Sequence, residues 1–299
     1  MNSYVLGPSS IPQPLALKPN SSKFLTNNFF ISPILRLPEE IMFRIFELLS
    51  PTDQSSATCV CKRWKLLGND ARLKEIRDIC FGKAKWGKYF GNIGEEPIVP
   101  YSIRATLNKD CIFWPEKKVK ETHLLVLIPK NLNGQNYHLK ALKKIINDKE
   151  IKDGYKCSFF HRSVKDKIGI KSQETHWTLI TRDFIPGRLG LREEEQRLFL
   201  AECSSKNNIG YERPEVLDIA TAAFMHYMDK EQLLYCSNKG LGLSMYTRCK
   251  ENVNDYEKGG FIVFSGVDPH GYIIDIFSSE DQKSVGMACS LVYRKFFSN

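Results

Sequence analysis

The sequence predicts an α+β fold in two parts: a small all-helical module at residues 34–70 and a larger mixed α+β domain at residues 101–299. Three observations carry this reading. Apolar residues between Ile34 and Phe81 recur at helical spacing. Glycines and prolines then interrupt the pattern between residues 88 and 100. Beyond that point, runs rich in β-branched and aromatic residues mix with helical stretches without strict alternation, which favours α+β over a doubly wound sheet. No repeat of fixed period is present.

Residues 1–33 are rich in Ser, Asn and Pro with little periodicity and are expected to form a disordered leader. "LRLPEEIMFRIFELLSPTD" places Ile41, Ile45, Leu48 and Leu49 at i, i+4, i+7, i+8. Pro38 suits a first helical turn, where its missing N–H is not needed, and Glu39 and Glu40 follow where the helix dipole favours negative charge. "SPTD" restarts a helix, with Ser50 as N-cap, Pro51 in the first turn and Asp53 at a capping-box position. In "CVCKRWKLL" a third helix puts Val60, Cys61, Trp64 and Leu67 on one face, with Gly68 as its stop. Cys59 and Cys61 on such a helix lie about 200° apart and cannot chelate one ion. Residues 71–100 read as a helix over Ala71–Phe81, burying Leu73, Ile76 and Cys80, followed by a linker.

In the larger domain, strands are expected at residues 111–114, 122–128, 176–185, 259–266 and 271–277. Helices are expected at residues 137–150, 191–203 and 214–234.

Hydrophobic residues at 42% and charged residues at 26% are ordinary for a soluble globular chain. The longest clean apolar run, "LLVLI" at 124–128, is far below the ~20 residues that span a bilayer. The N-terminus has no basic start followed by an apolar core, so no Sec-type signal peptide is expected. Nine scattered cysteines with no CxxC pair fit a reducing compartment, and cytoplasmic residence is the expectation. The net charge of +9 is concentrated between Glu116 and Lys171, where 14 Lys and Arg face six Asp and Glu. Such a segment is a solvated face or a surface for an acidic partner.

The particular residues of the helical module add more. "LPEEIMFRIFELLSPTD" followed by "VCKRW" resembles an F-box: a Leu-Pro start, an apolar helix ending in Leu, an Asp after a Pro-bearing turn, and a Val-Cys-x-x-Trp end. The resemblance implies docking on the Skp-type linker of a cullin-RING ubiquitin ligase, while the second domain recruits a protein substrate. The residues it implicates are Leu35, Leu37, Pro38, Ile41, Ile45, Phe46, Leu48, Leu49, Pro51, Val60, Cys61 and Trp64. Gln54 and Ser55 depart from the pattern, which more often has apolar residues there. Segments such as "WGKYFGNIGEEP" and "THWTLITRDFIPG" look like the C-terminal region of F-box proteins from chlamydia-like intracellular bacteria. That likeness implies an effector secreted into host cytosol.

An enzymatic alternative starts at "THWTLITRD", because a His-Trp opening a strand occurs in thiol proteases of ubiquitin-like conjugates. His176 would be the base, Asp183 or Glu193 its orienter, and Cys236 or Cys249 the nucleophile. Against it, no Gln precedes either cysteine at that family's usual distance in a Gly-rich setting, and Asp183, seven residues along a strand from His176, points to the opposite face. The six histidines form no HxxxH pair, and "KGLGLS" has no P-loop lysine. A non-catalytic adaptor without metal or cofactor is the leading expectation, and nucleic acid is not an expected partner.

Overall fold

A computed structural model describes residues 34, 37–69, 73, 76, 79–148, 156–207, 210–235, 245–253, 260–268, 271–278, 285–286 and 290–293. The expected leader at 1–33, Leu35 and Cys236 lie outside the described residues. From Glu39 onward the described residues belong to one compact unit.

Three short helices open the unit: α1 (Glu39–Leu48), α2 (Pro51–Ala57) and α3 (Lys62–Gly68). Leu73, Ile76 and Ile79 are helical, and the chain then enters β1 (Cys80–Phe81) and α4 (Lys83–Tyr89). The helix expected to reach Phe81 therefore stops short, because Cys80 and Phe81 pair in parallel with Leu125 and Val126. Residues 91–100 are irregular, as their glycines and prolines predict. After them come α5 (Tyr101–Leu107), α6 (Val119–Thr122), β2 (His123–Ile128), β3 (Asn131–Leu132), β4 (Gln135–Asn136) and α7 (Leu139–Asp148). The chain continues through β5 (Lys156–Phe160), α8 (Arg162–Lys167), β6 (His176–Thr181), α9 (Glu193–Asn207) and α10 (Val216–Lys230). It closes with β7 (Tyr246–Val253), β8 (Gly260–Asp268), β9 (Gly271–Ser278), β10 (Val285–Gly286) and β11 (Ser290–Tyr293). The α+β class is as the sequence predicts.

One strand expectation fails. "CIFW" at 111–114 is a closed loop: Cys111 N–H donates to Lys117 O, Lys117 N–H donates to Trp114 O, and Pro115 has no N–H for a ladder. Cys111 and Phe113 are nonetheless buried, so their apolar character serves packing.

Two sheets carry the body. Four strands run in the order β1-β2-β6-β11 and five in the order β10-β7-β8-β9-β5. β2 and β6 pair antiparallel with Leu125 opposite Leu179, and every residue of both is buried, as central strands covered on both faces must be. The cover on one face is α10, which packs against β2 and β6 of one sheet and β7 and β8 of the other. Every residue from Val216 to Met225 is buried.

Burial on all sides forces the polar residues of α10 to find partners. Thr221 Oγ1 lies 2.9 Å from Tyr137 Oη, and Asp218 Oδ2 lies 3.2 Å from His176 Nε2. At the helix start, the Glu251 carboxylate accepts the Val216 N–H at 3.0 Å. Burial, with Asp218 adding repulsion, pushes the Glu251 carboxyl up to about 7. The folded chain therefore holds this proton more tightly than the unfolded chain, whose Glu titrates at about 4.3. The stability it contributes is complete below that value and is lost as pH rises through about 7. Glu251→Gln keeps a carbonyl for Val216 and removes the charge. It is expected to raise the melting temperature at pH 8 and leave it nearly unchanged at pH 5, as read by thermal melts across pH.

Candidate docking surface

Helix α1 has two apolar stripes, and the fold uses one of them. Met42, Phe43 and Phe46 turn inward, while Ile41 and Leu48 are 49% and 58% exposed and Ile45 is half-buried between them. Of the four residues that the sequence places at helical spacing and the resemblance implicates in docking, Ile41 and Leu48 are exposed and Ile45 and Leu49 are half-buried. Aromatic bulk decides the outcome. Phe46 meets Trp64 edge-on at 5.6 Å, and the Phe46 ring also limits space at Gly68, where an added Cβ would sit 3.3 Å from Phe46 Cε1 and clash with Thr58. Gly68 is thus the buried last residue of α3, required for close approach to Thr58 after α2, with Asn69 as the C-cap. The sequence had it as the stop itself.

"CVCKRWKLL" is not one helix. Val60 is 63% exposed in the turn after α2, and Cys61 is the extended N-cap of α3, its Sγ accepting the Trp64 N–H at 3.5 Å. Cys61 and Trp64 are half-buried, whereas Leu66, next to the buried Leu67, is 75% exposed. Capping at α2 is as read from sequence. Ser50 Oγ accepts the Asp53 N–H at 3.1 Å and donates to the Asp53 carboxylate, with Pro51 as the first helical residue.

Among the other residues implicated, Leu37 is half-buried with its N–H on Ile34 O, and Pro38 is exposed directly before α1. The structure thus leaves Pro38, Ile41, Leu48 and Val60 outward and commits Phe46 to the interior. Two outward residues were not anticipated: Leu66 and Ile98, the latter 53% exposed. Leu48 and Ile98 line one cleft of about 240 Å³ with Val99, Pro100 and the stems of Arg44 and Arg104. The doubled leucine of "KLLG" is the only sequence signal for Leu66, because a helix can bury one of two neighbours.

Residues 34–75 match the F-box-like family model. The chain carries an F-box-like domain. No curated protein and no solved structure matches the chain.

The F-box-like domain is braced internally by Gln54 and joined to the body by part-buried polar contacts of Arg104 and Glu96. Gln54, one of the two departures from the family pattern, is buried and donates from Nε2 to Phe46 O at 2.8 Å and Leu49 O at 3.4 Å, at the C-terminus of α1. Arg104 of α5 donates from Nη2 to the same Leu49 O and from Nε to Val99 O, both at 3.2 Å. Its guanidinium also suits the negative end of the helix dipole. Glu96 completes the joint. One carboxylate oxygen accepts from Thr52 Oγ1 at 2.9 Å and Thr52 N–H at 3.3 Å at the start of α2; the other accepts the Lys83 N–H at 3.0 Å at the start of α4. Gly82 makes this possible, since a Cβ there would collide with Glu96 Oε1.

Among the described residues, those weighed for catalysis do not assemble. His176 Nδ1 is 2.8 Å from Glu174 O and Nε2 faces Asp218 at 3.2 Å, so both ring nitrogens are already engaged by oxygen atoms. Its acidic partner is Asp218 of α10, not Asp183, which accepts the Phe184 N–H, nor Glu193, which pairs with Arg213 at 2.8 Å. Cys249 has no hydrogen bond to His176, is fully buried, and burial holds its thiol well above the ordinary range. Among the described residues, no group of three His, Cys, Asp or Glu is placed to hold a metal ion.

Gln54→Leu restores the family's apolar type but removes two hydrogen bonds from the end of α1; a loss of about 1 kcal/mol is expected in denaturant unfolding. Glu96→Ala strips acceptors from two helix starts and is expected to cost about 2 kcal/mol. Amide exchange at Thr52 and Lys83 should accelerate together, which distinguishes loss of the joint from general destabilisation.

Proposed function

We propose that the chain is a non-catalytic adaptor: its F-box-like domain docks on a Skp-type linker of a cullin-RING ubiquitin ligase, and its α+β body recruits a protein substrate. The observation that carries this is the coincidence of the family match with exposed apolar side chains. Among the described residues, four of the nine exposed large hydrophobics lie between Ile41 and Leu66. A domain of this size leaves apolar surface that only a partner can cover, and each Leu or Ile so buried is worth roughly 1.5–3 kcal/mol. The contribution to ubiquitination is proximity: substrate held beside the ubiquitin-loaded enzyme reacts at a raised local concentration.

The place of action follows from the partner. Skp-type linkers belong to eukaryotic cytosol, so a bacterial chain with this domain acts after secretion into a host cell. The thiol-protease reading has no support: both ring nitrogens of His176 are engaged by oxygen atoms, and Cys249, the candidate nucleophile among the described residues, is fully buried.

Affinity purification from eukaryotic cytosol with mass spectrometry tests the proposal. The wild-type chain should capture a Skp-type linker and a cullin. The double variant Ile41→Glu/Leu48→Glu changes only exposed positions and should abolish capture with the melting temperature unchanged. Failure of the folded wild-type chain to capture any linker, or undiminished capture by the double variant, rejects it.

A further inference from the structure

Away from the F-box-like domain, the body holds a second concave feature. A cavity of about 140 Å³ opens where β1, β2 and α10 meet. Its floor is apolar, formed by Phe81, Leu124, Val126 and Met225. Its remaining lining is cationic: Lys85, Arg182 and Lys230 face a single carboxylate, Asp229. Asp229 is shared, at 2.9 Å from Lys85 Nζ and 3.6 Å from Lys230 Nζ. Arg182 is oriented by the bond from its Nε to His123 O at 3.0 Å, and no acceptor among the described residues takes its terminal nitrogens. Among the described lining residues, three cations stand against one carboxylate.

His226 also lines the cavity; burial first and then Arg182 lower its ring to about 4, against the opposing pull of Asp229. It is therefore neutral at physiological pH and does not add to the charge.

Size and charge together define a ligand class. Cavities of about 150 Å³ with apolar walls accept one benzene-sized body. A purely apolar ligand would leave the cations unmatched, and an inorganic phosphate would leave the apolar floor uncovered. We propose that this cavity binds a compact apolar group carrying one carboxylate, its body against Leu124, Val126 and Met225 and its charge facing Arg182 and Lys230. A small aryl or branched-chain acid has this chemistry, and so does the C-terminal residue of a protein chain ending in Phe or Leu. The site shares no lining residue with the cleft of the docking surface.

Calorimetric titration of the full chain tests it, with phenylacetate as the probe and phenylacetamide as its neutral match. Phenylacetate should bind one to one, and the amide about tenfold more weakly, because only the acid meets Arg182 and Lys230. Lys230→Gln, at an exposed position, should weaken phenylacetate severalfold without altering the thermal melt. Ala222→Leu should fill the cavity and abolish binding. A tripeptide ending in Phe, as free acid and as C-terminal amide, separates the two sources. Competition by the peptide acid alone assigns a chain terminus, and binding of phenylacetate without the peptide assigns a small acid. Equal binding of acid and amide, no response to Lys230→Gln in a folded protein, or no binding by either acid at millimolar concentration overturns the proposal.

Discussion

The carboxylate of Glu96 is the constraint on which the arrangement of this molecule turns. It sits in an irregular stretch, yet it accepts from the first turns of two helices, one in the F-box-like domain and one in the body. Helix starts present unpaired N–H groups and a positive dipole end, so a carboxylate is the natural group to join two of them. The same stretch is fixed on its other sides. Trp177 of β6 donates from its indole to Pro97 O at 2.8 Å, and Asn92 exchanges hydrogen bonds with Asn133 of the β3–β4 turn. A segment with the composition of a linker is thereby a strap that ties four elements together.

Much of the fold was legible in the sequence. The strands at 123–128, 260–268 and 271–278 and the three long helices announce themselves by β-branched runs and apolar periodicity. What could not be read depended on partners distant in sequence. Phe81 looks helical until β2 offers it a ladder, and "CIFW" looks extended until Pro115 and the Lys117 carbonyl close it into a loop. β7 carries Lys250, Glu251 and Asn252 among its eight residues, a composition that hides a strand which tertiary pairing nevertheless stabilises. The Asn133-Gly134 turn, with φ of 52° and 78°, is a hairpin signal that the sequence does display.

At the docking surface, the motif was legible and the orientation was not. Two stripes of α1 have equal helical spacing, and only packing against Trp64 and Gly68 decides that Phe46 goes in and Ile41 and Leu48 stay out. Gln54 shows the converse. As an isolated letter it departs from the family pattern, yet in place its amide satisfies the end of the preceding helix. Ile98 lies outside the matched residues altogether and reaches the same cleft because the strap brings it there.

A tethered docking module spreads its cargo through a cloud whose density falls as the tether lengthens. The strap allows no such cloud. With Glu96 and Arg104 locking the joint, whatever the body grips stands at one bearing from whatever the helices grip. In the proposed adaptor role, a joint built this way would work as a protractor: it would sort the lysines of a bound protein by angle, offering those on one arc and withholding the rest, whatever the sequence around them.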